Sequence, residues 1–235
     1  MAENAAKRPS ETGKIIFVPT SHVARDSLAR VRDVVAKEKP DCVAVELDLN
    51  RYHSLNAQAG KSTFRLIRAL GLSTFVIYWT LKKLQDYLGS KTGILPGSEM
   101  LEAVNLARAK GIDVALIDQP IEVTFYKIKK LPLGEKLGLF RLLMLAVVGM
   151  AVPFGKKEKV DLNRLPSEKL IDEAMAYLES ELPGFYGVLV SERNAVMSSN
   201  LYRLMIKYEK IVCVVGAAHE KGIKKLLSTV KEGVS

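Results

Sequence analysis

Apolar residues gather along the chain in four short, nearly continuous runs: Lys14 to Pro19 (KIIFVP), Cys42 to Leu47 (CVAVEL), Asp113 to Ile117 (DVALI) and Ile211 to Val215 (IVCVV). Runs this short and this rich in Val and Ile suit strands buried on both faces, as a parallel sheet covered by helices requires. Between them the apolar positions recur at helical spacing. Ser27 to Lys39 sets Leu28, Val31, Val34 and Val35 on one stripe before Pro40 stops it. Ser98 to Lys110 turns Met100, Leu101, Val104 and Ala107 inward, with Gly111 placed to end the helix. Two further helical patterns run from Ser167 to Glu181, closed by Pro183-Gly184, and from Glu192 to Tyr208. This alternation predicts an α/β fold with a mostly parallel central sheet flanked by helices.

Two segments break the alternation. Phe64 to Leu88 is a long helical pattern around the apolar piece Ala69 to Leu81, and Leu137 to Phe154 is more apolar still, with Arg141 inside it. Both fall short of the roughly 20 apolar residues of a membrane span. They are expected to be helices inserted near 60–95 and 125–165, forming a helical subdomain of a single domain over 13–235. Their apolar faces would pack together, form a homodimer, touch a membrane or cover a binding groove. Residues 1–12 read as a disordered tail.

Composition changes this picture little: 48% hydrophobic and 26% charged residues are ordinary for a globular domain. The formal charge of +9 adds a question. The basic residues are scattered, aromatics are only 7%, and no nucleic-acid-binding signature is present, so no nucleic-acid partner is expected. Lys82, Lys83, Lys127, Lys129, Lys130, Lys136, Lys156, Lys157 and Lys159 flank the two apolar segments. That placement suits either an anionic membrane surface or a solvated basic face. Cys42 and Cys213 fall inside predicted strands and read as buried hydrophobes, without a disulfide framework. Met1 to Ser10 lacks the apolar core of a signal peptide.

Parallel strands share one carboxyl edge, and ligands bind outside it. After the first strand comes Pro19-Thr20-Ser21-His22; the second ends in Glu46-Leu47-Asp48; the third reaches Asp118; the fourth runs into Gly216-Ala217-Ala218-His219. Two of the three histidines and several carboxylates thus converge on one rim. Imidazole with carboxylate is a ligand set for a divalent transition metal, which polarises carbonyls and acidifies bound water. Glu46 is either a ligand or the general base. Either histidine alone reads sooner as a helix cap or a partner of a backbone carbonyl; their matched placement on two strands favours the ligand reading. Glu192, in Ser191-Glu192-Arg193-Asn194, opens a helix, where the dipole also favours it. Arg51 either pairs with a site or substrate carboxylate or makes a surface salt bridge. Metalloprotease His-Glu-x-x-His, phosphate-binding, dinucleotide-binding and serine-nucleophile motifs are absent.

Seven pieces then occur in order: Thr20 to Ser27 (TSHVARDS), Val43 to Asp48 (VAVELD), Arg51-Tyr52, Pro96 to Met100 (PGSEM), Leu116 to Asp118 (LID), Ser191 to Asn194 (SERN) and Val214 to His219 (VVGAAH). In these the chain resembles the TraB/PrgY/GumN family, related to the Tiki membrane metalloproteases, from Lys14 to Ile223. The resemblance implies an erythromycin-esterase/Tiki-like sheet and two Gly-x-x-His motifs with a glutamate after the first. Carried over, His22, Glu46 and His219 would bind a Mn- or Co-type ion, with Zn as the alternative. Glu46, Glu192, Arg193 and Arg51 would serve catalysis. One departure is Pro19, which stands where the family usually has Gly and lacks an N–H. Plasmid members are linked to pheromone shutdown, and members often carry membrane helices after the second motif.

The expectation is therefore a metal-dependent peptidase hydrolysing short, hydrophobic signalling peptides. It would be a soluble domain anchored to a membrane through a segment following Ser235. A non-catalytic peptide-binding module and a membrane-associated dimeric scaffold are the competing expectations.

Overall fold

The computed structural model describes residues 13–20, 25–57, 75–76, 78–79, 82, 97–147 and 167–232. The predicted tail, His22 in the first motif, most of Phe64 to Leu88, Pro96, Lys83, the end of the second apolar segment beyond Val147, and Lys156, Lys157 and Lys159 lie outside these residues.

The four predicted strands form: β1 (Lys14–Thr20), β2 (Cys42–Val45), β3 (Asp113–Leu116) and β4 (Lys210–Gly216). All pair in parallel, in the order β1-β4-β2-β3. The reason lies in period-two burial on the central strand β4. Ile211, Cys213 and Val215 face one side with Ala44 and Cys42, while Val212 and Val214 face the other with Val43 and Val45. A strand apolar on both faces needs helices on both. Helices α1 (Arg25–Glu38) and α3 (Ser98–Ala109) cover the first layer through Val31, Val35, Met100 and Val104. Helices α8 (Glu192–Lys207) and α9 (Ala217–Glu232) cover the second through Met197, Leu201, Ile223 and Leu227. The α/β fold expected from the sequence, a parallel sheet flanked by helices, is present.

Helix ends follow local chemistry. After α1 the chain turns at Lys39, with φ 47°, and then meets Pro40. After α3 it turns at Gly111, with φ 67°, where a glycine carries no Cβ penalty. Ser167 caps α6 (Glu168–Glu181) by accepting from Leu170 N. Pro19 sits on an edge strand, paired in register with Val215, a position where proline is tolerated.

One feature differs from the sequence reading and another extends it. Helix α2 (Leu49–Ala57) was not expected from its weak apolar stripe; Asp48 starts it, its Oδ1 accepting from the N–H groups of Asn50 (2.9 Å) and Arg51 (3.1 Å). Helix α6 ends at Glu181 as expected: Leu182, with φ −137° and ψ 59°, leaves the helical range just ahead of Pro183-Gly184. Pro183 opens the short helix α7 (Pro183–Tyr186), since proline is well placed in a first turn. The chain then passes through a π-helical turn, Gly187–Ser191, directly into α8.

Helices α4 (Ile121–Lys130) and α5 (Leu133–Val147) occupy the start of the second predicted insertion. They join α7 and the π turn in a third core of Ile128, Leu139, Leu182, Phe185 and Val188, and leave Tyr126, Leu133 and Leu137 exposed. Residues 75–76, 78–79 and 82, within the first predicted insertion, are helical. Among the described residues no helix is long and apolar enough to cross a membrane.

Candidate functional site

The carboxyl edge of the sheet gathers side chains from five separate stretches. Glu46 and Asp48 follow β2, Arg51 lies on α2, Asp118 follows β3, Arg193 and Asn194 open α8, and His219 lies in the first turn of α9. Glu46, Asp48, Asp118, Asn194 and His219 are all buried.

Arg193 is the hub. Its Nε donates to both Asp118 oxygens at 3.1 and 3.2 Å, and its Nη2 donates to Asp118 Oδ2 at 2.5 Å and to Glu46 Oε1. Its Nη1 donates to Leu189 O at 3.2 Å and lies 3.0 Å from His219 Nε2. Burial works against the Arg193 charge, but Glu46 and Asp118 outweigh it and hold its pKa above the ordinary value. The π turn contributes directly: Glu192 N donates to Gly187 O across the wide turn, and the Leu189 carbonyl receives the guanidinium. Such turns are uncommon and recur at functional sites.

His219 is fixed from both sides. A guanidinium can only donate, so Nε2 facing Arg193 must accept. The ring is then the neutral tautomer protonated at Nδ1, which donates to Asn194 Oδ1 at 2.7 Å. Glu46 is anchored the same way. Its Oε2 accepts from Gly216 N at 2.6 Å, and its Oε1 lies 3.3 Å from His219 Nε2.

Arg51 bridges two carboxylates, donating from Nε to Asp48 at 2.5 Å and from Nη2 to Asp118. Three carboxylates thus face two guanidinium groups. Glu192 takes a different partner: its Oε2 accepts from Lys127 Nζ at 2.7 Å on the more exposed side of the same turn. Of the site residues expected from sequence, Glu46, Arg51, Arg193 and His219 come together. Glu192 flanks them, and His22 lies outside the described residues.

Sequence reading placed Asp118 on this rim without giving it a role, although it is the anchor shared by both arginines. The signal was a carboxylate directly after a buried strand, on the same edge as Glu46. Asn194 and Lys127 were also missed as partners, because each acts across elements distant in sequence. Cys42 and Cys213 are buried as expected; burial, then Asp113, pushes the Cys42 thiol up to about 12, and burial pushes Cys213 well up. Neither suits nucleophilic work.

A cavity of about 620 Å³ shares Asn194 with the cluster; apolar Ile171, Met175 and Val190 share its wall with charged Glu168, Asp172 and Lys221. Among the described residues no group of three His, Cys, Asp or Glu side chains is arranged to hold a metal ion.

The TraB/PrgY/gumN family model matches residues 6–233. An uncharacterised protein of Methanocaldococcus jannaschii is 31% identical over 93% of this chain and 54% of its own length. TraB domain-containing proteins of cattle and human are 26% and 25% identical, over 92% of this chain and 63% of theirs. The chain thus spans between about half and two thirds of the relatives it matches. With the match running through β1, the Glu46 rim, the Arg193 turn and the His219 helix, the chain belongs to the TraB/PrgY/gumN family.

Proposed function

We propose that this chain is a metal-dependent peptidase in which Glu46 and His219 hold a divalent transition ion at the carboxyl edge of the sheet. One observation carries the reading. Glu46 Oε1 and His219 Nε2 are 3.3 Å apart, while each group's other donor or acceptor atom is anchored to the protein. Two ligands about 2.0–2.1 Å from one tetrahedral ion lie about 3.3 Å apart, so the pair fits. Metal-binding histidines characteristically give their second N–H to an oxygen, as His219 does to Asn194. His22 is the proposed third ligand, carried by the family likeness.

A bound ion would supply Lewis acidity toward a carbonyl and a more acidic water. The chain's own residues supply the rest. Glu192, paired with Lys127 at the exposed side, is the proposed proton acceptor. Arg193 and Arg51 offer N–H donors to a substrate oxygen. The cavity beside Asn194, with both apolar and charged side chains in its wall, would take a peptide side chain.

The test is mass spectrometry of a mixture of short apolar peptides incubated with chelator-stripped protein, before and after Mn²⁺ addition. Cleavage only after addition is expected. No product with Mn²⁺, Co²⁺ or Zn²⁺, together with peptide binding that survives chelation, would instead establish a binding module.

The support behind His219 makes a sharper expectation. A Cβ on Gly222 would lie 2.2 Å from Asn194 Nδ2, so Gly222→Ala must push Asn194 aside. Alanine favours the helix itself. Mn²⁺ affinity should nevertheless fall by about 10- to 100-fold, as for loss of other groups orienting a ligand. Calorimetry alongside circular dichroism separates the two effects; undiminished affinity would show that Asn194 does not orient the histidine.

A further inference from the structure

We infer that the Arg193 guanidinium is a built-in counter-cation that competes with the metal ion for Glu46 and His219, so that ion entry requires Arg193 to release both. The inference rests on the metal reading above and adds how occupancy of that site is controlled. The two atoms proposed as ligands, Glu46 Oε1 and His219 Nε2, are both hydrogen-bonded to Arg193, through Nη2 and Nη1 respectively. The Nε2 lone pair cannot serve an N–H and an ion together. At Glu46 Oε1 a guanidinium and a dication would be brought together, and their charges repel.

The same contacts show how release can occur without casting Arg193 loose. Asp118 receives two of its N–H groups, the Nε–H shared between both carboxylate oxygens and one from Nη2, and is itself fixed by Gln119 N at 2.7 Å. A guanidinium that gives up Glu46 and His219 therefore keeps a buried carboxylate. Without the ion, Arg193 neutralises Glu46; with it, the freed N–H groups become donors for a substrate oxygen. The affinity of such a site is reduced by the fraction of molecules in which Arg193 occupies it.

The experiment is calorimetric titration of Mn²⁺ into chelator-treated full-chain wild type, Arg193→Gln and Arg193→Lys. Melting temperatures are recorded with and without the ion. Arg193→Gln should bind Mn²⁺ at least about tenfold more tightly than wild type. It should also melt lower than wild type without the ion and gain more from adding it. Arg193→Lys, which keeps a cation but loses the fork, should fall between them. Wild type that binds Mn²⁺ with Arg193→Gln equal or weaker overturns the competition and leaves the metal reading standing. Failure of both wild type and Arg193→Gln to bind Mn²⁺ overturns both. Should Arg193→Gln not fold without Mn²⁺, rescue by the ion supports the competition, and Arg193→Lys affinity no tighter than wild type overturns it.

Discussion

Glu46→Gln is expected to lower Mn²⁺-supported peptide hydrolysis by about 10²- to 10⁴-fold, the range for loss of a group acting at the reacting centre. The substitution conserves shape and removes one charge at a position only 4% exposed. The carboxylate accepts on both sides, from Gly216 N and from Arg193 Nη2. An amide accepts with only one of its two ends, so whichever way it turns, a donor faces a donor. The strand-end geometry is retained while the anionic ligand and its alignment are lost. Steady-state rates at saturating Mn²⁺, compared with wild type of equal helicity, measure this. Activity within a few-fold of wild type would remove Glu46 from the chemistry.

Asp118→Ala should have the largest effect on stability, about 3–5 kcal/mol, because it strands buried charge. Asp118 accepts from Arg193, Arg51 and Gln119 N, and its side chain is fully enclosed. Arg193, with its side chain 14% exposed, cannot recover that solvation by turning to water. Glu46 would be left to balance it alone. For a chain of this size each kcal/mol lowers the melting temperature by about 2–4 °C, so a fall of about 6–20 °C is expected. Asp118→Asn, which keeps the shape and some acceptors, should fall part of the way. A shift corresponding to less than about 1 kcal/mol would mean that Arg51 and Arg193 are held by other groups.

Much of the fold was legible because burial and periodicity coincide. The four strands were found from continuous apolar runs, and β4 shows why: with every residue from Ile211 to Gly216 buried, no polar alternation was needed to reveal it. Helices α1, α3, α6 and α8 were found from their stripes and stops. Helix α2 escaped because its start is set by one side chain, Asp48, rather than by amphipathicity. The π turn escaped because nothing after the Pro183-Gly184 stop signals a wide turn; it forms where Phe185 and Val188 pack into the third core.

The rim was legible through topology alone, since parallel strands bring Glu46, Asp118 and His219 to one edge. What could not be read was the order of partnership. Arg51 lies near Glu46 and Asp48 in sequence, yet shares Asp118 with Arg193, and Glu192 turns to Lys127. Those choices depend on where α4 and α8 dock, which no local pattern encodes.

The most direct measurement is titration of Mn²⁺ into chelator-treated wild type and His219→Ala, with bound metal counted per chain. One ion per chain in wild type and none in His219→Ala is the expected result. Equal binding by the two proteins would contradict the assignment of Glu46 and His219 as the metal-holding pair.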